Sequence, residues 1–297
     1  TRGRIFYRAD IADIPTVEKI FRDHPDIYAT IHCAALAIVP ESVKKPYEYY
    51  RENVYKSMEL FYALQRLGYP RVVFSSSASV YDILPTYMVT EDSPTNPASP
   101  YARTKVMVEM ILRDFCIAYN MRGIALRYFN PIGADPKMRS GIHAKDPSHV
   151  LGKLVDTALG KLPYFEITGV DYPTRDGTAI RDYIHVWDLA QAHILAMQDF
   201  DGIFARAGNP PDNYLVINLG TGKGVTVREL VTAFEHVLGR PINKKESPRR
   251  PGDVVGAYAN ADRAKKLLGW ETQLSLEQAI ADALRWGELR TSILKFN

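Results

Sequence analysis

Tyr28-Ala-Thr-Ile-His-Cys-Ala-Ala35 is apolar at every position but Thr30 and His32, and it does not alternate. That is the pattern of a strand buried on both faces, as strands of a parallel sheet are. The flanking sequence fits the same scheme. Downstream, Pro46 to Leu67 reads as a helix closed by Gly68, and Arg71 to Ser75 as a further strand. Upstream, Arg4 to Tyr7 reads as a strand ending in Asp10, and Ile14 to His24 as a helix with Asp13 as cap and Pro15 in its first turn. Strand, helix and strand in succession make crossover units, so the expected fold is α/β with a doubly wound parallel sheet.

The pattern continues through a Pro-, Ser- and Thr-rich loop (Pro85 to Ser99), a long helix from Pro100 to about Tyr119 capped by Ser99, and a strand from Ile124 to Tyr128. After Asn130 it changes. A loop from Pro131 to Pro147 leads to a helix near Val150 to Leu159, and Arg181 to Met197 looks like another strand and helix of the first kind. Leu215 to Leu219 reads as a strand, with helices at Val227 to Leu238 and Leu276 to Trp286. The expected organisation is a large sheet part over residues 1–130, to which 181–198 returns, and a smaller α/β part from 131–180 and 199–297.

Composition narrows the function. The 297 residues are 46% hydrophobic and 24% charged, enough for an ample core and too apolar for disorder or a coiled coil. Lys and Arg number 37 against 34 Asp and Glu, and a net charge of +3 is too small to argue for a nucleic-acid partner. No stretch approaches the roughly 18 apolar residues of a membrane span. Two cysteines, Cys33 and Cys116, make neither a disulfide framework nor a metal pair, and the expected location is the reducing cytoplasm. The seven histidines show no HxH or HExxH spacing, so no metal is expected, and His32 and His185 read as satisfied residues on apolar strands.

Tyr101-Ala-Arg-Thr-Lys105 is the sharpest chemical feature. A Tyr and a Lys four apart on a helix share a face, so the ammonium can lie beside the phenol. A free phenol titrates near 10, and bringing it to neutrality takes about 4 kcal/mol of differential stabilisation. One ammonium and a cationic cofactor ring in a dry cleft suffice, and Tyr101 then becomes a general base for a hydroxyl proton. A bare YxxxK also occurs on surface helices, but here it follows Phe74-Ser-Ser-Ser-Ala-Ser-Val-Tyr81. That segment places serines at the carboxyl end of a buried strand, where open α/β sheets bind their ligands. Ser77 is set to hydrogen-bond the hydroxyl that Tyr101 deprotonates.

Taken in order, Ala9-Asp10-Ile11, Phe74 to Tyr81, Tyr101 to Lys105, Arg127-Tyr-Phe-Asn-Pro131, Asp176 to Val186, Asn218 to Gly222 and Pro248 to Asp253 resemble the extended short-chain dehydrogenase/reductase family. Within it the chain is most similar to the UDP-glucose (UDP-galactose) 4-epimerases. The resemblance implies a Rossmann-type sheet that binds NAD and a smaller part that binds the sugar nucleotide. It implies that Asp10 and Ile11 flank the adenine, that Asn53 lies near the pyrophosphate, and that Cys33, Ala34, Ala35, Ser75 and Tyr128 also line the cofactor. Ser77, Tyr101 and Lys105 match the catalytic trio. Asn130, His149, Arg181, Tyr183, Arg250, Asp253 and Ala257 match substrate positions, with the two arginines on the diphosphate and Asp253 on the uridine ribose. Guanidinium binds phosphate oxygens bidentately, so those arginine roles also make physical sense. The implied reaction is NAD-dependent epimerisation at C4 through a transient 4-keto sugar, carried out by a homodimer.

Departures from the family pattern leave other readings open. The family opens with a strand and a GxxGxxG turn, and none precedes Asp10; the expectation is that the natural protein has a segment upstream of Thr1. Gly220-Thr-Gly222-Lys-Gly224 has the wrong spacing to replace it and reads as a structural turn. Ala37 stands where the family has Lys, His149 where it has Asn, and Thr168 where an aromatic near uracil is common. Ala257 is small at a place that gates bulk at sugar C2, which admits an N-acetylated sugar. The 4,6-dehydratases need an acidic pair after the strand-end serine, and Ala78-Ser79 is not one. A catalytically impaired nucleotide-sugar or NAD-binding protein is the alternative of a different class.

Overall fold

The computed structural model describes residues 4–249 and 254–294. In chain order the early elements are α1 (Ile14–Asp23), β1 (Thr30–His32), α2 (Val39–Lys44), α3 (Pro46–Tyr49), a π-helical turn (Tyr50–Tyr55), α4 (Lys56–Leu67) and β2 (Arg71–Ser75). There follow β3 (Met88–Val89), α5 (Pro100–Tyr119), β4 (Arg122–Tyr128), β5 (Asn130–Ile132), α6 (Val150–Ala158), β6 (Phe165–Thr168), β7 (Ile180–Arg181) and β8 (Tyr183–His185). The rest are α7 (Val186–Gln198), α8 (Phe200–Arg206), β9 (Tyr214–Leu219), β10 (Val225–Thr226), α9 (Val227–Leu238), β11 (Lys244–Ser247), β12 (Tyr258–Ala259), α10 (Asp262–Leu268) and α11 (Leu276–Leu294).

Residues group into two units. The first comprises Thr1–Val80, Pro97–Leu126 and Ala196–Val216, the second Tyr81–Asn96, Arg127–Leu195 and Ile217–Asn297. A four-stranded sheet of order β1-β2-β4-β9 forms the frame of the first, with β1, β2 and β4 parallel and Thr30 opposite Val72 and Arg71 opposite Arg122. This is the Rossmann-type arrangement. Helices α1, α4 and α5 pack on it through Val17, Phe61, Leu64 and Leu112, which meet Val72, Phe74 and Ala125 of the strands. Local chemistry sets the helix ends. Ser99 Oγ accepts from Ala102 N at 3.2 Å to start α5, and Gly68 closes α4 at φ +79°, a left-handed turn natural to glycine.

His32 shows how that sheet handles a polar side chain. It is buried beside Phe61 and Phe74, with Nε2 2.7 Å from Ser57 Oγ, so it is a satisfied core residue. Burial, then the nearby charge of Lys105, lower its pKa to about 4. Above pH 6.5 the ring is neutral folded and unfolded. As pH falls from 6.5 to about 4 the unfolded chain takes up the proton first, a loss of about 3 kcal/mol of stability. His32→Phe is expected to remove that share of the acid sensitivity, read from denaturation midpoints across the window.

The second unit is built on two-stranded pairings, β5 with β8 and β6 with β11 in parallel, and β7 with β10 antiparallel. Leu151 and Leu154 of α6, Phe234 of α9 and Ile280 of α11 cover Phe165 and Ile167 of β6 and Tyr183 of β8. Helix α9 starts at a capping box, with Thr226 Oγ1 accepting from Glu229 N and the Glu229 carboxylate accepting from Thr226 N. Among the described residues, no helix is long and apolar enough to cross a membrane.

Four expectations change. Arg4 to Tyr7 forms no strand, since the outer edge of β1 pairs with none among the described residues and a strand requires a ladder. The apolar run at 28–35 narrows to Thr30–His32, because the chain past His32 turns outward. The helix from Pro46 carries the π-helical turn at Tyr50–Tyr55. Finally, β8 pairs with β5, which groups 181–195 with the second unit and 196–198 with the first, whereas the sequence returns all of 181–198 to the large sheet.

Candidate active site

In the first unit the sheet brings Ser75, Ser76 and Ser77 to the carboxyl end of β2, opposite the first turns of α5. Lys105 is buried at 3% exposure, donates from Nζ to the Ser75 carbonyl at 2.8 Å, and lies 4.9 Å from the Phe74 ring centre and 5.8 Å from that of Tyr101. Burial lowers its pKa to about 8, with the nearby charges of Cys33 and Glu109 working the other way. Burial raises the Tyr101 phenol above its ordinary value, while its hydrogen bond with Ser77 works against that. The protein alone therefore holds Tyr101 as the neutral phenol, and the expected lowering called for a cationic cofactor ring beside the Lys105 ammonium. Desolvation is the larger of the two effects, and the Ser77 hydrogen bond the smaller.

Ser77 Oγ lies 2.9 Å from Ser79 Oγ and accepts from Ser79 N at 3.2 Å. An ammonium has three N–H donors, and Ser75 takes one; the other two suit a vicinal diol such as a ribose. The donor set at Lys105 thus fits a nucleotide cofactor.

Residues matched to the rest of that cofactor spread along the sheet's carboxyl edge. Asp10 accepts from Ala12 N at 2.9 Å and pairs with Lys56, whose bond holds the carboxylate below its usual range. Ile11 is half-buried against the α1 core. Cys33 Sγ lies 3.1 Å from Ser75 Oγ, and Ala34 and Ala35 follow it, exposed. Asn53 is buried in the π-helical turn, where it accepts from Leu36 N at 2.7 Å and donates to Leu36 O and Thr104 Oγ1, each at 3.0 Å. Its amide is spent on the loop after β1, so Asn53 shapes that loop.

In the second unit, Asn130 opens β5 with its N–H on the Asp182 carbonyl, Tyr183 is buried on β8 with its pKa pushed up to about 12, and the Tyr128 ring faces His193. His149 caps α6: Gly152 N donates to Nδ1 at 3.3 Å, so Nε2 carries the proton, and this nitrogen is buried with no partner among the described residues. Ala257 is half-buried beside Gly256, whose φ of +107° requires glycine. Arg250 and Asp253 lie outside the described residues.

Arg181 has a second task that its sequence did not reveal. It donates from Nη1 to the carbonyls of Ile180 (2.7 Å) and Val255 (2.8 Å) and from Nη2 to Val254 (3.0 Å), three of its five N–H donors. It clasps the backbone that follows residue 253. Arg181→Lys keeps the charge and loses the fork, and is expected to cost about 2 kcal/mol in a denaturant titration.

Residues 1–214 match the model of the NAD dependent epimerase/dehydratase family. The chain belongs to that family. It is 42% identical over 283 residues to the UDP-glucose 4-epimerase of Bacillus subtilis, covering 95% of this chain and 81% of that protein. The crystal structure of UDP-glucose-4-epimerase from Stenotrophomonas maltophila, with bound NAD and formylated UDP-arabinopyranose, superposes with a TM-score of 0.90 at 37% identity, over 98% of this chain and 84% of that one. The UDP-glucose 4-epimerase of Bifidobacterium longum in complex with NAD+ and UDP gives 0.87, also at 37% identity, over 98% and 84%.

Two residues of this epimerase/dehydratase family chain stand out in the structure and not in the sequence. Asp182, buried, accepts from Thr221 N (2.8 Å), Thr221 Oγ1 (2.7 Å), Gly222 N (3.1 Å) and Ala259 N (3.1 Å). A Cβ on Gly220 would lie 2.5 Å from that carboxylate, which accounts for the glycine cluster as a structural turn. Glu109, one turn beyond Lys105, accepts from Ser76 Oγ. Its spacing from Lys105 was the available signal. His185, like His32, is satisfied in the core, with Nε2 3.1 Å from Asp282.

Proposed function

We propose that this chain interconverts the C4 epimers of a UDP-hexose, UDP-galactose and UDP-glucose, through a transient 4-keto sugar. The observation that carries the reading is the cluster of Ser77, Tyr101 and Lys105 at the carboxyl end of β2, with a buried ammonium that keeps spare donors. NAD, when bound, would supply the hydride acceptor and donor for sugar C4 and a cationic ring that favours the phenolate. Tyr101 accepts the proton of the 4-hydroxyl, and Ser77 hydrogen-bonds the same oxygen and holds it in line. Lys105 holds the nicotinamide ribose and biases Tyr101 toward the phenolate. Burial of Tyr101 keeps water from the carbonyl that forms.

The first unit carries the cofactor residues Asp10, Ile11, Cys33, Ala34, Ala35, Asn53 and Ser75, and Tyr128 of the second unit is assigned to the cofactor as well. The second carries the sugar nucleotide on Asn130, His149, Tyr183, Arg181, Arg250, Asp253 and Ala257. Two things support that assignment: Arg181 keeps two N–H donors for a phosphate, and the protonated Nε2 of His149 has no acceptor among the described residues. The small side chain of Ala257 favours acceptance of an N-acetyl group at C2. Nuclear magnetic resonance of the protein with NAD and UDP-galactose, then with UDP-N-acetylglucosamine, tests the reading. Appearance of the C4 epimer is the expected result; bound nucleotide without conversion overturns it in favour of a binding protein.

A homodimer fits the exposed apolar side chains Tyr47 of α3, Tyr55 of the π-helical turn and Tyr62 of α4, and Met107, Met110 and Ile117 along α5. Met110→Glu, which buries a charge in such an interface, is expected to halve the mass measured by light scattering. The unpaired thiols Cys33 and Cys116 fit a cytoplasmic location.

A further inference from the structure

The segment 33–38 leaves β1 in neither helix nor strand, and its first three side chains, Cys33, Ala34 and Ala35, are small and exposed. Cys33 Sγ lies 3.1 Å from Ser75 Oγ, on the residue whose carbonyl Lys105 Nζ holds. The segment thus passes the carboxyl ends of β1 and β2, where a doubly wound sheet receives a nucleotide. Two buried side chains from the helical stretch that follows grip its backbone. Tyr49, with no exposed surface, accepts from Ile38 N at 2.9 Å and donates to Ile38 O at 2.8 Å, with Glu41 Oε2 3.2 Å away. Burial pushes that phenol up to about 12, so the hydroxyl keeps its proton. Asn53, four residues on, takes both backbone groups of Leu36 and donates to Thr104 Oγ1 at 3.0 Å. Thr104, fully buried, donates in turn to the Tyr101 carbonyl at 2.7 Å. Leu36 is therefore linked through two side chains to the first turn of α5.

We propose that Tyr49 and Thr104 are positioning residues for NAD: Tyr49 pins Ile38, and Thr104 pins Leu36 through Asn53, so that the loop 33–38 is held in shape before the cofactor arrives. A loop with no ladder partner pays its ordering entropy at the moment of binding unless something has fixed it beforehand. Ala37, between the two gripped residues, has no polar side-chain atom to add, so the hold comes from the helical side. The second grip sits in the π-helical turn at Tyr50–Tyr55, and such turns are rare in helices and frequent at functional sites. The inference rests on the proposed reading that this loop lines the cofactor, and the experiment separates the two.

The Kd for NAD is measured by calorimetry, with no sugar nucleotide present, on wild type and variants. Ala34→Trp puts bulk on an exposed position of the loop and is expected to weaken NAD at least tenfold; an unchanged Kd there shows that the loop does not meet NAD and overturns both readings. Tyr49→Phe keeps the ring and loses the hydroxyl, and Thr104→Val keeps the shape and loses the hydroxyl. Each is expected to raise the Kd about tenfold, and Thr104→Ser, which restores the hydroxyl, to return it to within about twofold of wild type. With Ala34→Trp weakened, a wild-type Kd in Tyr49→Phe overturns the role of Tyr49 while the cofactor reading stands. A wild-type Kd in Thr104→Val, or a Ser variant as weak as the Val one, overturns that of Thr104. Melting midpoints recorded alongside mark a merely structural role, which lowers the midpoint and leaves the Kd of the folded protein where it is. Where Thr104→Val does not fold, Thr104→Ala takes its place, with a raised Kd supporting the proposal and an unchanged one overturning it.

Discussion

Tyr101→Phe is expected to lower kcat about a thousandfold while the Kd for the nucleotide stays within a factor of two or so. The phenol ring is 7% exposed, and phenylalanine fills the same volume, so the packing of α5 on the sheet survives. The substitution removes one oxygen, the atom proposed to take the 4-hydroxyl proton. A positioned base is worth 10²–10⁴ in rate, and nothing near it replaces that function: Ser77 is an alcohol, far too weak an acid to serve as a base at neutral pH, and Lys105 is an ammonium there, with no lone pair to take a proton. Conversion followed by NMR and binding followed by calorimetry give the two numbers. A variant that turns over within tenfold of wild type shows that the proton goes elsewhere.

Asp182→Ala is expected to be the most destabilising single change in the second unit, at about 4 kcal/mol. The carboxylate accepts four hydrogen bonds, three of them from the backbone N–H groups of Thr221, Gly222 and Ala259. Each buried donor left without an acceptor costs about 1–3 kcal/mol. Burial raises the Asp182 pKa, and the four donors oppose that. Asp182→Asn separates shape from chemistry. It fills the same space but turns an amide N–H₂ toward two of the donors, and is expected to lose nearly as much. The urea midpoints of both variants decide the matter; an Asn variant as stable as wild type shows that space, not acceptance, is what Asp182 provides.

Much of this site was legible before any coordinates because its pieces are local. Ser99 and Pro100 start α5 where the sequence places them, Gly68 ends α4, and Arg71–Ser75 and Val227–Leu238 run to the expected residues. A cap is a bond between residues three apart, so the sequence contains both partners. The π-helical turn was not legible, because Asn53 holds it through Leu36 and Thr104, 17 and 51 residues away. The pairing of β5 with β8 was hidden for another reason. Three-residue strands carry too little period to reveal a partner, and register is chosen by the helices that cover them.

The spacing of Tyr101 and Lys105, the serines after a buried strand and the apolar run at 28–35 each determine a piece of the chemistry, since a helical face and a strand end are properties of neighbouring residues. What the tertiary structure decided is the charge state and the second duties of those residues. Burial holds Tyr101 protonated, the nearby Cys33 and Glu109 set against the desolvation of Lys105, and Arg181 gives two of its N–H donors to backbone more than 70 residues downstream. Solvent exclusion and long-range partners depend on every element that packs around a group, and no window of sequence contains them.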